Sequence, residues 1–564
     1  MNFNDFSYLR PDMSAFGTMF NEKLRVFETE EDLTILEETF DALNQMRQSF
    51  DTMFNIGYIR HSIDTKDDFY EKENDFYNNT LPEYQALTTR FYELLLRSPL
   101  KGRLEQKYGK QLFVIAAASQ KTFSDAVVED LQVENRNSSE YTKLKAAAEI
   151  NIDGKTYNLS GLIPLESGAD RSMRKKATLA KWQFFDENRQ KTEGIFDELV
   201  KTRHKIATKL GYKNFVELGY HRMLRSDYNA EMVAGFRRQI QEHIVPIATR
   251  LYERQAKRIG VPKLKIYDEE FKFRSGNPAP KGSPEWIVAN ADHMYNELSP
   301  ETAEFFSFMQ SGQLMDLINR EGKATGGYCT YIPDYKAPFI FSNFNGTSGD
   351  IDVLTHEAGH AFQVYRSRNF GIPEFHWPTY ESCEIHSMSM EFFTWPWMHL
   401  FFQKDADKYK FMHLAAALQF LPYGVAVDEF QHVIYENPDL SAAERNKAWK
   451  DIEGKYLPHR DYDGIAFLEN GGFWQKQNHI FNSPFYYIDY TLAQICAFQF
   501  WKKDQKDHHA AWNDYIRLCN AGGSLSFLEL VKLANLKSPF EESCVAEVVG
   551  EIDKWLESVD DSDF

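Results

Sequence analysis

The chain has 564 residues, of which 43% are hydrophobic and 26% charged, with a formal net charge of −19. This is ample material for a core and too balanced for disorder, and the length exceeds what one simple core usually supports, so two domains or one large two-lobed body is expected. The acidic balance argues against nucleic-acid binding, which needs a basic face to replace counterions.

The N-terminus, MNFNDFSYLRPDMSAFG, lacks the basic start and apolar run of a signal peptide. The most apolar stretches, such as LFVIAAA at 112–118, fall far short of the ~20 residues a membrane span needs. The five cysteines, Cys329, Cys383, Cys496, Cys519 and Cys544, form no C-x-x-C pair and fit free thiols in a reducing compartment. A soluble cytoplasmic protein is expected, with no membrane association and no obligate protein partner.

In chain order, residues 1 to about 145 carry long helical patterns. Thr29 to Asp32 reads as a capping box opening a helix through EDLTILEETFDALNQMRQSF, and a second helix runs through NNTLPEYQALTTRFYELLLRS. EINIDGKTYNLSGL, 149–162, alternates around Asp153-Gly154, a β-hairpin signal. Helical periodicity resumes near Ser172 and runs to about 258. From 326, GGYCTYIPDYKAPFIFSNFNGTSGD reads as short strands and turns. Helices then continue to an acidic tail, VDDSDF, expected to fray. The domain division expected is 1–175, a helical domain carrying the hairpin, and 176–564.

The segment LTHEAGHAFQ, 354–363, carries the chemistry. Asp350 can cap a helix through IDVLTHEAGHAFQVYRSR. His356 and His360 then stand four apart on one face, close enough to share one ion. Glu357 is rotated about 100° around the helix, so it is suited to act as a general base rather than a ligand. A salt-bridged surface pair of histidines is the bland alternative. A third ligand decides between them. In YESCEIHSMSMEFFTW, 380–395, Glu384 lies 24 residues beyond His360, enough to turn through FGIPEFHWP and start a second helix alongside. Glu381 and Glu391 share its helical face. A buried acidic face needs positive charge, which zinc bound by His356, His360 and Glu384 would supply. Glu381 can then support a ligand histidine from behind.

HEAGH followed by EIHSMSMEF resembles the oligoendopeptidase F group of zinc metallopeptidases, which includes the Pz-peptidases and is related to thimet oligopeptidase and neurolysin. The resemblance takes in KATGGYCTYIP, APFIFSNFNGT and HIFNSPFYYIDYTLAQICAFQFW, and covers roughly residues 190 to 555. It implies a mainly α fold: an elongated two-lobed helical body with a deep central channel and a small β-sheet beside the zinc helix. It implies one zinc ion per chain and endopeptidase action on short peptides, with the Pz-peptidases pointing to collagen-derived peptides containing Pro and Gly. It also implies that His479 and Tyr490 steady the oxyanion, with Tyr487 a further candidate although the spacing slips by one residue. Where the thimet branch has Asp three before the ligand Glu, this chain has Glu381. APFIFSNFNGT reads either as an edge strand pairing with an extended peptide or as a β-rich piece of the core; the first reading makes Phe341, Asn343, Asn345 and Gly346 substrate-binding candidates.

Two other readings stay open. One is a helical zinc carboxypeptidase or dipeptidase, with an arginine such as Arg366 holding the substrate terminus. The other is a non-catalytic peptide binder, against which stands the presence of every ligand and the base.

Overall fold

The computed structural model describes residues 2–562 and 564. Among the described residues the protein is mainly helical, with one hairpin and one three-stranded sheet. Among the described residues no helix is long and apolar enough to cross a membrane.

The N-terminal helices span Met13–Thr29, Leu33–Ile63, Asp68–Arg97, Lys101–Tyr108, Lys110–Gln120 and Val128–Ala146. The expected capping box at Thr29 to Asp32 is not formed. Thr29 closes the first helix, and Asp32 alone caps the second, accepting from Thr34 N and Ile35 N. An aspartate one residue ahead of a helix competes well for the orphan donors. These helices build their own core around Phe20, Phe40, Phe91 and Leu112, which also takes in Ile372 and Phe375. That contact fastens them to the segment that follows HEAGH.

The hairpin pairs β1 (Ile150–Ile152) with β2 (Lys155–Tyr157). Asp153 and Gly154 both have positive φ, as a two-residue hairpin turn of this hand requires. The larger sheet comprises β3 (Met315–Ile318), β4 (Tyr328–Ile332) and β5 (Ala337–Phe344), in the order β3-β5-β4. Strand β5 is parallel to β3 and antiparallel to β4. The APFIFSNFNGT strand is therefore central and almost wholly buried, which overturns the edge reading and agrees with the core one. Its near-continuous apolar run is what a strand covered on both faces needs.

The HEAGH helix spans Gly349–Ser367 and the Glu384 helix spans Tyr380–Phe393. Gly359 lets them meet: a Cβ there would lie 2.6 Å from Ser387 Cα and 2.8 Å from the His386 carbonyl oxygen. Asp350 is not the N-cap. Ser348 holds that position, and the Asp350 carboxylate reaches back to accept from Asn345 N at 2.8 Å and Gly346 N at 2.9 Å.

The described residues of the acidic tail are tied down rather than frayed; residue 563 lies outside the described residues. Asp561 pairs with Arg254 at 2.8 Å and with Arg258, and Phe564 packs on Phe273 and Phe411.

Candidate active site

A cavity of about 620 Å³ opens between the N-terminal helices and the HEAGH region. One wall is polar and comes from Gln85, Tyr92, Gln111 and Ser119; the other carries His356, Glu357, His360, Glu384, Tyr486 and Tyr490. Its size lies within the ~300–1,000 Å³ usual for ligand sites.

His356, His360 and Glu384 each offer a ligand atom, and these atoms lie within 4.8 Å of one another. Glu384 Oε2 is 3.1 Å from His356 Nε2 and 3.4 Å from His360 Nε2. Two imidazole nitrogens and one carboxylate oxygen, with room on the cavity side, fit the donor set of a catalytic zinc site. Burial alone would raise Glu384, but His360 and His356 outweigh it and hold the carboxylate well below its usual range. Its other oxygen accepts from the Tyr486 hydroxyl.

His356 is oriented from behind. Its Nδ1 donates to Glu391 Oε1 at 2.7 Å, leaving Nε2 for the ion. Glu391 Oε2 accepts in turn from His413 Nε2 at 2.7 Å, and His413 Nδ1 accepts from Trp395 Nε1. Because Trp395 can only donate, His413 Nδ1 carries no proton in this arrangement. Glu391 thus takes the part expected of Glu381. The two helices are antiparallel, so residues later than Glu384 face residues earlier than His360. Glu381 is fully buried without a hydrogen bond, and its carboxyl is raised well above its usual range by burial and by Asp489. Arg225 sits at 2.7 Å on Asp489 rather than on Glu381. Glu391→Gln is expected to weaken metal binding by about 10–100-fold; competition against a chelator reads this, and unchanged affinity would reassign the orienting role.

Glu357 is buried, lines the cavity and has Oε2 without a partner. Burial raises it above the usual carboxylate range, although His356 and His360 oppose this. Gly327 packs against it, where a Cβ would come 3.3 Å from Glu357 Oε1.

His479 stands one layer back. Its Nδ1 accepts from the Gln477 amide at 2.8 Å, and the Gln477 oxygen accepts from Tyr423. The imidazole Nε2–H is then left to donate to the Tyr490 hydroxyl at 3.0 Å, freeing the phenolic proton. Burial pushes His479 down to about 4, so it stays neutral above that pH. His479→Gln is accordingly expected to lower kcat/KM without moving the acidic limb of the pH profile between about pH 5 and 8; a limb that shifts would make His479 the titrating group.

The remaining candidates divide. Tyr490 faces the cavity, whereas Tyr487 does not line it and packs against Phe420 and Tyr423. Tyr486, passed over in the sequence reading, takes the position beside Glu384. Phe341 is fully buried beneath Tyr328. Asn343 donates to the carbonyls of Ala324 and Gly326, and Asn345 and Gly346 bind Asp350. None of these four lines the cavity; Gly327, Tyr328, Cys329 and Thr330 of the β4 edge do. Arg366 is bonded to Asn520 and is likewise absent from the lining.

A His-Glu-x-x-His helix, a carboxylate ligand from a second helix and a tyrosine-lined cavity define a metallopeptidase. The family model for the peptidase M3 N-terminal domain matches residues 3–123, and that for peptidase family M3 matches residues 165–278 and 297–549. The chain belongs to peptidase family M3. The curated oligoendopeptidase F homolog of Borreliella burgdorferi is 22% identical over 372 residues, 63% of this chain and 60% of that protein's length. The solved structure of Pz peptidase A with an inhibitor is 58% identical, covers all of both chains and superimposes with a TM-score of 0.99. A solved chain from Bacillus anthracis str. Ames is 55% identical over 100% of this chain and 99% of its own, with a TM-score of 0.95.

Proposed function

We propose that the protein is a zinc-dependent endopeptidase that cleaves internal bonds of short peptides, including collagen-derived peptides containing Pro and Gly. The single observation that carries this is the convergence of His356, His360 and Glu384 on one point beside the unpartnered Glu357 carboxylate in a large cavity. The collagen preference rests on likeness to the Pz peptidase.

His356, His360 and Glu384 would hold the zinc ion, which when bound would supply Lewis acidity toward water and the scissile carbonyl. Glu357 accepts the proton of the attacking water and delivers it to the leaving amine. Tyr490, with its hydroxyl oxygen occupied by His479, donates to the carbonyl oxygen as negative charge builds there. The substrate backbone pairs with the free edge of β4, which has a partner on one side only among the described residues. Pairing of this kind reads main chain and tolerates varied sequences.

Arg366, the arginine considered for holding a substrate terminus, is bonded to Asn520 and lies off the cavity. A Gly-Pro-rich decapeptide blocked at both ends tests the reading. Internal cleavage that stops on chelation and returns with one equivalent of zinc is expected. Cleavage of the unblocked peptide alone would mean an end-trimming enzyme, and cleavage that survives chelation would remove zinc from the account.

A further inference from the structure

Phe485 lies between His479 and Tyr490, and its φ is 68°, a conformation costly for a bulky side chain. Its backbone is held from outside. Gln431 Oε1 accepts from Phe485 N at 2.8 Å, and Arg225 Nη2 donates to the Phe485 carbonyl at 2.5 Å. The same nitrogen donates to Asp489 Oδ1 at 2.7 Å, in the first turn of the Tyr487–Asp504 helix, and both charged side chains are fully buried. The Phe485 ring is seated on Gly219, where an added Cβ would fall 2.5 Å from ring atom Cδ2.

Arg225, Gln431 and Gly219 are all absent from the cavity lining, whereas Tyr486 and Tyr490 on the far side of the turn belong to it. Tyr486 begins immediately after the strained residue and reaches Glu384; Tyr490 lies one helical turn further and reaches His479. Both main-chain groups of Phe485 are satisfied by side chains from elsewhere rather than by neighbouring backbone. The angle at which the chain enters the helix is therefore set by Arg225 and Gln431. Relaxing φ to the common region would swing Tyr486 away from Glu384 and turn Tyr490 with it.

We propose that Arg225 and Gln431 are positioning residues that lock the Phe485 turn and so hold Tyr486 against Glu384 and aim Tyr490 at the reacting carbonyl. This rests on the peptidase reading above. Misplacement of about 1 Å in such groups is enough to cost about 10²-fold in rate.

Gln431→Met keeps the volume and removes one anchor without stranding a charge. Gly219→Ala disturbs the seat of Phe485 without touching any hydrogen bond. Each is measured for kcat, KM and zinc content on the blocked decapeptide, alone and in a Tyr490→Phe background. Each is expected to lower kcat by about 10–100-fold while zinc content matches the parent and KM stays within about threefold. In the Tyr490→Phe background the same change is expected to cost less than about threefold, because one of the groups it positions is already gone. Losses equal in both backgrounds, near-parental kcat in both folded variants, or loss of fold in both would overturn the proposal. A parent that leaves the decapeptide intact would instead sink the peptidase reading, and the positioning role with it.

Discussion

Glu357→Gln is expected to retain its metal and lose about 10²–10⁴-fold in kcat. The substitution keeps the side chain's size and leaves His356, His360 and Glu384 untouched. It removes the one carboxylate at the site that neither pairs with a histidine nor accepts a hydrogen bond on Oε2. The amide cannot take a proton from water, so the loss falls on the chemical step rather than on binding, and KM moves little. Burial raises Glu357 toward the pH at which a base works best. The acidic limb of the parent's profile reports this group: activity is lost as pH falls through its raised value. Metal analysis beside steady-state kinetics decides the matter. A variant that cleaves as fast as the parent would reduce HEAGH to a structural helix, and one that loses metal would make Glu357 a ligand.

Gly359→Ala is the second large effect, and two opposing contributions set its sign. Alanine in a helix interior is favoured over glycine by about 1 kcal/mol. Against this, the new methyl would sit 2.6 Å from Ser387 Cα and 2.8 Å from the His386 carbonyl. Both obstacles are backbone, which cannot swing aside as a flexible side chain would, and overpacking of this kind costs about 1–3 kcal/mol or more. The clash is expected to win, with net destabilisation of about 1–2 kcal/mol. The consequence for function is larger than for stability, because the ligand set spans the same interface: two histidines on one helix and Glu384 on the other. Separating the helices loosens the metal before it unfolds the protein. Urea midpoints and chelator competition measure the two effects separately. A variant more stable than the parent with unchanged metal affinity would show that the helices absorb the methyl.

The HEAGH motif was legible because its information is local. His356 and His360 meet through the four-residue helical repeat, and the room between His360 and Glu384 is enough for a turn and a second helix. The hairpin at Asp153-Gly154 was legible for a similar reason, since the turn chemistry lies in two adjacent residues. Glu391 was visible as one of three acids on a face, but choosing it over Glu381 required knowing that the two helices run antiparallel. The later glutamate then meets the earlier histidine. Tyr486, rather than Tyr487, meets Glu384, and the side chains bonded to the main chain of the preceding Phe485, Arg225 and Gln431, lie 260 and 54 residues away in sequence.

Strand order was hidden for the same physical reason. APFIFSNFNGT reads as a good strand wherever it lies in a sheet, and only pairing with β3 and β4 makes it central and leaves β4 at the edge that borders the cavity. The amino-acid sequence by itself determined the helical class, the trio His356, His360 and Glu384 that the fold brings together, the neighbouring Glu357 and the resemblance to a peptidase group, because periodicity and spacing act over a few residues. Tertiary structure alone decided which carboxylate steadies His356, which tyrosine meets Glu384 and which strand borders the cavity, because those follow from how distant elements pack.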